Sequence, residues 1–301
     1  MKIAIIGTFQ VGKSTLLNCL INESLAGIGI GTPTTHTLNF YKNNTSPEIL
    51  CRNIKGECLY RQSWERGVSE LSIPRETVRV MYELPKSFDL HGNLLIDTPG
   101  LDSAGKDASL DTMRTIDVIR DNTVDLLILV VSNKQLDSAI RSSVLPCIKE
   151  ARKNLIVLMN CNRRNHPNPS SKINQETALQ IDEELRAAGI RHSRVWMSGE
   201  SKVLPCNAVW WWISQRNRTN IRFCNQQTDE VFQMRYQEIK NYYADILEQP
   251  MPSLETLQQK SNLLHLFAYL SDGEMRKKLW YKDNPAPTSE KLKFELRKRL
   301  N

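Results

Sequence analysis

The chain has 301 residues, of which 40% are hydrophobic and 24% charged, and carries a formal net charge of +7. That length allows a full α/β core plus a small second module, and the composition is ordinary for a globular chain. Its longest apolar runs, Leu126–Val131 and Leu155–Met159, have strand length, which excludes a helical membrane span.

In chain order, Lys2–Ile6 is a short apolar run that stops at Gly7, and a helical pattern of Leu16, Leu17, Leu20 and Ile21 opens after Lys13. Leu38–Tyr41 and Val78–Glu83 read as strands, with a short helix expected over Glu57–Arg66 between them. Asn93–Ile96, Asp125–Val131, Asn154–Met159 and Lys202–Leu204 are further apolar runs of the kind buried on both faces of a sheet, the last ended by Pro205. Helices are expected over Ser138–Lys153, bent at Pro146, and over Gln175–Ala188, closed by Gly189. The alternation predicts an α/β fold with a mainly parallel, doubly wound sheet.

After Trp210 the pattern changes. Thr228–Gln249 reads as an amphipathic helix stopped by Pro250 and Pro252, and Ser253 can cap a second helix over Leu254–Leu270. Pro285 and Pro287 then precede a basic helix, Ser289–Leu300. The expected division is residues 1–212 as a nucleotide-binding domain, with an insertion over about 43–83, and residues 213–301 as a small C-terminal helical region.

The chemistry sits in three segments. Gly7-Thr8-Phe9-Gln10-Val11-Gly12-Lys13-Ser14 has the G-x-x-x-x-G-K-S form, between a predicted strand and a predicted helix. Its amides can curl around phosphates, with Gly7, Phe9, Gln10, Val11, Gly12 and Thr15 lining the loop and helix start. Lys13 reaches the β and γ oxygens, and the Ser14 hydroxyl is suited to Mg²⁺. Asp97-Thr98-Pro99-Gly100 follows a strand, where Asp97 can hold a metal-bound water and the Gly100 amide can meet the γ-phosphate. Between them lies Gly29-Ile30-Gly31-Thr32-Pro33-Thr34-Thr35, in which Thr35, with Thr34 in reserve, can give a hydroxyl to Mg²⁺ and a carbonyl to the attacking water.

Taken together, Gly7–Asn18, Pro33-Thr34-Thr35, Asp97–Ser103 and Asp125–Asn133 resemble the GTPase domain of bacterial dynamin-like proteins, a TRAFAC-class family. The resemblance covers about residues 1–208 and is most specific in the first 135. It implies Mg²⁺-dependent GTP hydrolysis stimulated by a homodimer, or a larger dynamin-like partner, across the nucleotide face. It also makes Gln10 a candidate transition-state group and the loops at 34–35 and 101–114 switches. Asn160 fits the start of the base-reading motif, and Asn207-Ala208 the loop that touches the base edge.

The chain departs from the family where Asn160-Cys161-Asn162-Arg163 puts Arg163 in the place of the guanine-reading aspartate. A guanidinium is a pure donor and cannot accept from guanine N1 and N2. Leu101 stands where some small GTPases carry a catalytic glutamine. About 90 residues follow the nucleotide-binding region, too few for a long four-helix stalk. These features keep two rivals open: a weakly hydrolysing, nucleotide-gated binding subunit, and an NTPase with relaxed or ATP specificity.

Trp210-Trp211-Trp212 reads as packing before it reads as a membrane-interface anchor. The basic residues Arg276 to Arg299 read first as a solvated face and second as a peripheral contact with anionic lipid; nothing in the pattern favours nucleic acid. The seven cysteines include no Cys-x-x-Cys pair, so zinc is not expected, and reduced thiols point to the cytoplasm.

Overall fold

The computed structural model describes residues 1–22, 25–26, 37–64, 73–86, 88, 90, 92–101, 108–134, 136–161, 166–196, 200–215 and 226–273. The strands are β1 (Lys2–Ile6), β2 (Leu38–Asn43), β3 (Glu48–Arg52), β4 (Cys58–Ser63), β5 (Arg79–Leu84), β6 (Leu94–Asp97), β7 (Leu126–Ser132), β8 (Asn154–Asn160) and β9 (Leu204–Cys206). They form one sheet in the order β4-β3-β5-β2-β6-β1-β7-β8-β9. The first strand lies between β6 and β7, parallel to both, with Ala4 opposite Ile96 and Leu127. From β7 to β9 the pairing stays parallel, and β2 and β5 are also parallel; β2–β6, β3–β5 and β3–β4 are antiparallel. The mainly parallel, doubly wound sheet expected from the sequence is present.

The continuous apolar runs work because alternate side chains feed opposite layers. Ile3, Ile5, Ile128 and Leu158 face a layer with Leu16, Leu17 and Leu20, while Ala4, Ile6, Leu127 and Leu129 face one with Val144, Ile148, Ala178 and Ile181. Residues two apart share a face of a strand, so both sides of β1 and β7 must be apolar. The first layer is covered by α1 (Lys13–Ile21) and the second by α2 (Ala108–Arg120), α3 (Leu145–Ala151) and α4 (Lys172–Ala187).

The tryptophan triplet lies on α5 (Ala208–Ser214), in the same layer as α1. Trp211 stacks on Phe267 with ring centroids 4.6 Å apart, Trp212 meets Phe232 edge-on at 4.9 Å, and Trp210 lies 6.2 Å from Tyr243. These rings hold α6 (Gln226–Asn241), the π-helical turn Tyr242–Ile246 that continues it, and α8 (Leu263–Ser271). Packing is therefore the role of the triplet. No helix among the described residues is long and apolar enough to cross a membrane.

Residues 58–63 form a strand, not a helix: β4 pairs with β3, and Arg61 grips Glu48 across the pair at 2.6 and 2.9 Å. Pro205 lies inside β9 instead of ending it, because at the sheet edge its missing N–H removes no ladder bond, and Asn262 Nδ2 covers its carbonyl at 2.9 Å. The single helix expected over Leu254–Leu270 is two, α7 (Leu254–Lys260) and α8, broken where Asn262 takes a left-handed φ of 62°. At Pro146 the chain accommodates the missing donor with a π-helical turn, Ile140–Val144, that leads into α3. The basic helix expected over Ser289–Leu300 lies outside the described residues.

Candidate functional site

The C-terminal ends of parallel strands gather the predicted site residues on one edge of the sheet, where open α/β sheets bind ligands. After β1 the chain turns through Gly7–Gly12 and enters α1, whose N-terminus has Gly12 as its cap, with no side-chain oxygen bonded to its amides. With no side-chain cap among the described residues, the first-turn amides and the helix dipole suit that end to an anion. Gly12 has φ 94°, and a Cβ there would lie 2.3 Å from Asn160 Nδ2, so only glycine fits.

Lys13 lies folded back into the loop, 7% exposed, donating to the carbonyls of Gly7 at 3.1 Å and Thr8 at 2.9 Å. Burial pulls its ammonium down to about 8, against the opposing pull of the Asp97 carboxylate. Asp97 closes β6 opposite Ile5 of β1 and is fully buried. Ser14 and Thr15 occupy the first turn of α1, Ser14 half-buried and Thr15 buried. A cation, a carboxylate and a hydroxyl-bearing helix start thus converge beside a curl of backbone amides. That donor set fits a triphosphate with a hard divalent ion.

The segment after Asp97 is tied to the loop. Thr98 donates its hydroxyl to the Ile5 carbonyl at 2.9 Å, and Thr115 of α2 donates to the Pro99 carbonyl at 3.2 Å. Leu101 pairs with the loop as a short parallel bridge to Thr8, with Phe9 N donating to Leu101 O at 2.8 Å and Leu101 N to Gly7 O at 3.2 Å. Gly100 packs so closely that a Cβ on it would lie 3.0 Å from Phe9 Cα. Gln10 takes a left-handed φ of 61° at the exposed crest of the loop.

On the base side, Asn160 joins two loops. Its Nδ2 donates to Val11 O at 2.8 Å, and its Oδ1 accepts from Ala208 N at 3.1 Å. Asn207 precedes α5 and caps it, accepting from Trp210 N at 3.0 Å. Thr34, Thr35, Asn162 and Arg163 lie outside the described residues, as do positions 102–107 of the second expected switch. Lys13, Ser14, Asp97 and Gly100 are brought together, and Asn160, Asn207 and Ala208 form a second group beside them.

Some contacts had no sequence signature. Thr8 donates its hydroxyl to Asp137 at 2.6 Å, across 129 residues. Asn18 of α1 is buried and holds the next segment, accepting from the amides of Leu25 at 3.0 Å and Ala26 at 2.8 Å and donating to Ala26 O at 2.9 Å. An asparagine that bonds backbone groups looks like any other asparagine in a sequence.

Comparison with known proteins agrees with this geometry. A family model described as 50S ribosome-binding GTPase matches residues 2–161. The isoniazid-induced protein IniC of Mycobacterium tuberculosis, strains CDC 1551 / Oshkosh and ATCC 25618 / H37Rv, is 28% identical over 120 residues, 38% of this chain and 24% of that protein. The chain therefore spans about a quarter of the length of the curated relatives it matches. Two solved chains of an oligomerised bacterial dynamin pair, a pair that provides a mechanism for long-range sensing and tethering of membranes, superpose over 99% of this chain with a TM-score of 0.51. They are 16% and 17% identical, with 52% and 45% of their own lengths covered, and so share the fold. With the family model spanning more than half of the chain and the phosphate loop in place, this protein belongs to that P-loop GTPase family, built on a fold shared with a bacterial dynamin.

Proposed function

We propose that this chain binds GTP with Mg²⁺ and hydrolyses it to GDP and phosphate, faster when two nucleotide faces meet. The observation that carries the reading is the convergence of buried Lys13, buried Asp97 and the Ser14 end of α1 on one curl of backbone. Lys13 and the amides of Phe9 to Ser14 are assigned to the β- and γ-phosphates, and Ser14, Thr35 and Asp97 to the metal shell. Bound Mg²⁺ would neutralise charge on the β- and γ-oxygens. Water oriented by the Thr35 carbonyl attacks the γ-phosphorus in line, and the bond to the β–γ bridging oxygen breaks. Gln10, at the crest of the loop, is assigned to the transition-state charge in its own chain or in a partner.

Residues 1–212 are assigned to the GTPase domain in this reading and 213–301 to a C-terminal helical region. The protein is assigned to the cytoplasm, with the basic residues from Arg276 to Arg299 as the candidates for contact with an anionic membrane surface. The test is hydrolysis measured against protein concentration. Turnover per molecule should rise with concentration, and Lys13→Ala should lower it by about a hundredfold or more. A rate unaffected by Lys13→Ala would end the reading.

A second reading, a nucleotide-gated binding subunit that barely hydrolyses, is favoured by Leu101. That residue is fully buried and hydrogen-bonded to the phosphate loop, where it positions no water. Tight GTP binding with negligible turnover at every concentration would select it. Calorimetric titration with GTP, ATP and XTP decides between guanine preference and relaxed specificity.

A further inference from the structure

Thr8 holds the first variable position of the phosphate loop and is 5% exposed. The arm of the loop that it belongs to continues β1, which lies between β6 and β7. From the segment after β6 the arm is held by backbone, through the bridge between Thr8 and Leu101. From the segment after β7 it is held by a side chain, with Thr8 Oγ1 donating to Asp137 Oδ2 at 2.6 Å. The carbonyl of Thr8 in turn accepts from Lys13 Nζ at 2.9 Å. Three supports meet at this residue, and a carboxylate makes the shortest of them.

Asp137 stands at the start of a helical segment. Its carbonyl accepts from Arg141 N at 3.1 Å, and Leu136 and Ile140 on either side are buried in the second layer of the sheet. An aspartate in that position ordinarily turns its carboxylate onto the amides of its own helix, which have no other partner. Among the described residues this one bonds no helix amide and reaches 129 residues back to Thr8. A local cap is given up for a contact with the phosphate loop. The bond is charge-assisted, and the buried neighbours anchor the backbone that carries the carboxylate.

We infer that Asp137 is a positioning residue for hydrolysis: through the Thr8 hydroxyl it fixes the arm of the loop that leads into Phe9 and Gln10 and offers its carbonyl to Lys13. It acts through Thr8 and is assigned no contact with the nucleotide. Its charge has a second effect, of opposite sign. A carboxylate beside an anion site repels phosphates, so Asp137 aids turnover while opposing affinity. The inference rests on the nucleotide-hydrolysis reading above.

The test compares the full chain with Thr8→Val, Asp137→Ala and the double variant, by GTP turnover at saturation, calorimetric titration with GDP, and thermal melts. Each single variant should lower kcat about tenfold, the size expected when positioning groups drift. The double variant should lose no more than about twofold beyond the slower single, since both changes break the same bond. GDP affinity should be kept in Thr8→Val, and kept or raised in Asp137→Ala. A purely structural brace would weaken binding along with turnover. Thr8→Ser keeps the donor and should recover most of the turnover that valine loses. If alanine at 137 unfolds the chain, Asp137→Asn keeps the shape with a neutral acceptor, and its kcat should lie below native. Native kcat in the single variants, losses that multiply in the double, a serine as slow as valine, or GDP affinity falling in step with kcat would each overturn the inference. A native chain that binds GDP yet never turns GTP over ends the hydrolytic reading. The same cycle is then read in the preference for GTP over GDP, and an unchanged preference overturns the inference. A native chain that binds neither nucleotide removes both.

Discussion

Phe9 donates its backbone amide to the carbonyl of Leu101 at 2.8 Å, so the segment after Asp97 is hydrogen-bonded directly to the crest of the phosphate loop. Gly100 permits that approach. A methyl there would lie 3.0 Å from Phe9 Cα and 3.4 Å from Lys13 Nζ. Gly100→Ala is expected to push the two segments apart, costing about 1–3 kcal/mol of stability. Single-turnover hydrolysis should slow by about tenfold or more, because sub-ångström displacements of positioning groups carry penalties of that size.

Lys13 illustrates a conflict between stability and function. Its ammonium falls from 10.5 to about 8 in the fold, chiefly through burial, so between those values the unfolded chain holds more protons and stability rises with pH. Below pH 8 the buried charge is a standing penalty. Replacing it by methionine removes the penalty but leaves Asp97 without its counter-charge, for a net gain of about 1–3 kcal/mol in the nucleotide-free chain. Thermal melts without nucleotide at pH 7 should show Lys13→Met above native, with the gap closing toward pH 10, while GTP no longer raises the melting temperature of the variant.

Asp182 of α4 works in the opposite sense. Burial resists its ionisation, yet His192 Nε2 at 3.0 Å, the Lys202 amide at 2.7 Å and Arg186 Nε at 3.1 Å hold its carboxyl at about 2. The depressed value stabilises the fold above the unfolded value of 3.8, and the contribution disappears as pH falls toward 2. Asp182→Asn should be about 2 kcal/mol less stable at pH 7, with the difference vanishing near pH 2. Urea titrations across that range would measure it.

Trp211 is 7% exposed and stacks on Phe267. Its replacement by alanine should destabilise the fold by about 3–5 kcal/mol, against a smaller loss for phenylalanine. Hydrogen exchange should show early deprotection of α8 in Trp211→Ala, because the lost stack is its bond to α5.

The sequence exposed the phosphate loop and Asp97 because each is a contiguous string in a strand-to-loop setting, and a string survives without knowledge of the fold. Alternation within β1 and β7 was legible as unbroken apolar runs for the same reason. Residues 58–63 hide their strand period because Leu59 and Arg61 share the exposed face while only Tyr60 packs inward on Ile49, Cys51 and Val80. The break at Ser261 and Asn262 was hidden because the apolar residues on both sides share one layer and bridge the gap in pattern. The asparagine braces left no trace, since their partners are backbone carbonyls that every residue possesses.

The two rims of the sheet have a consequence for assembly. At one rim β9 is three residues long, contains Pro205, and has its outer carbonyl taken by Asn262. At the other, β4 is paired with a register shift at Cys51 and Arg52 and carries the charged pair Arg61–Glu48. A short proline-bearing edge and a bulged, charged edge are both poor templates for another strand. Neither described rim is thus suited to extending the sheet across a second molecule, which turns the exposed strand ends from a hazard into closed borders.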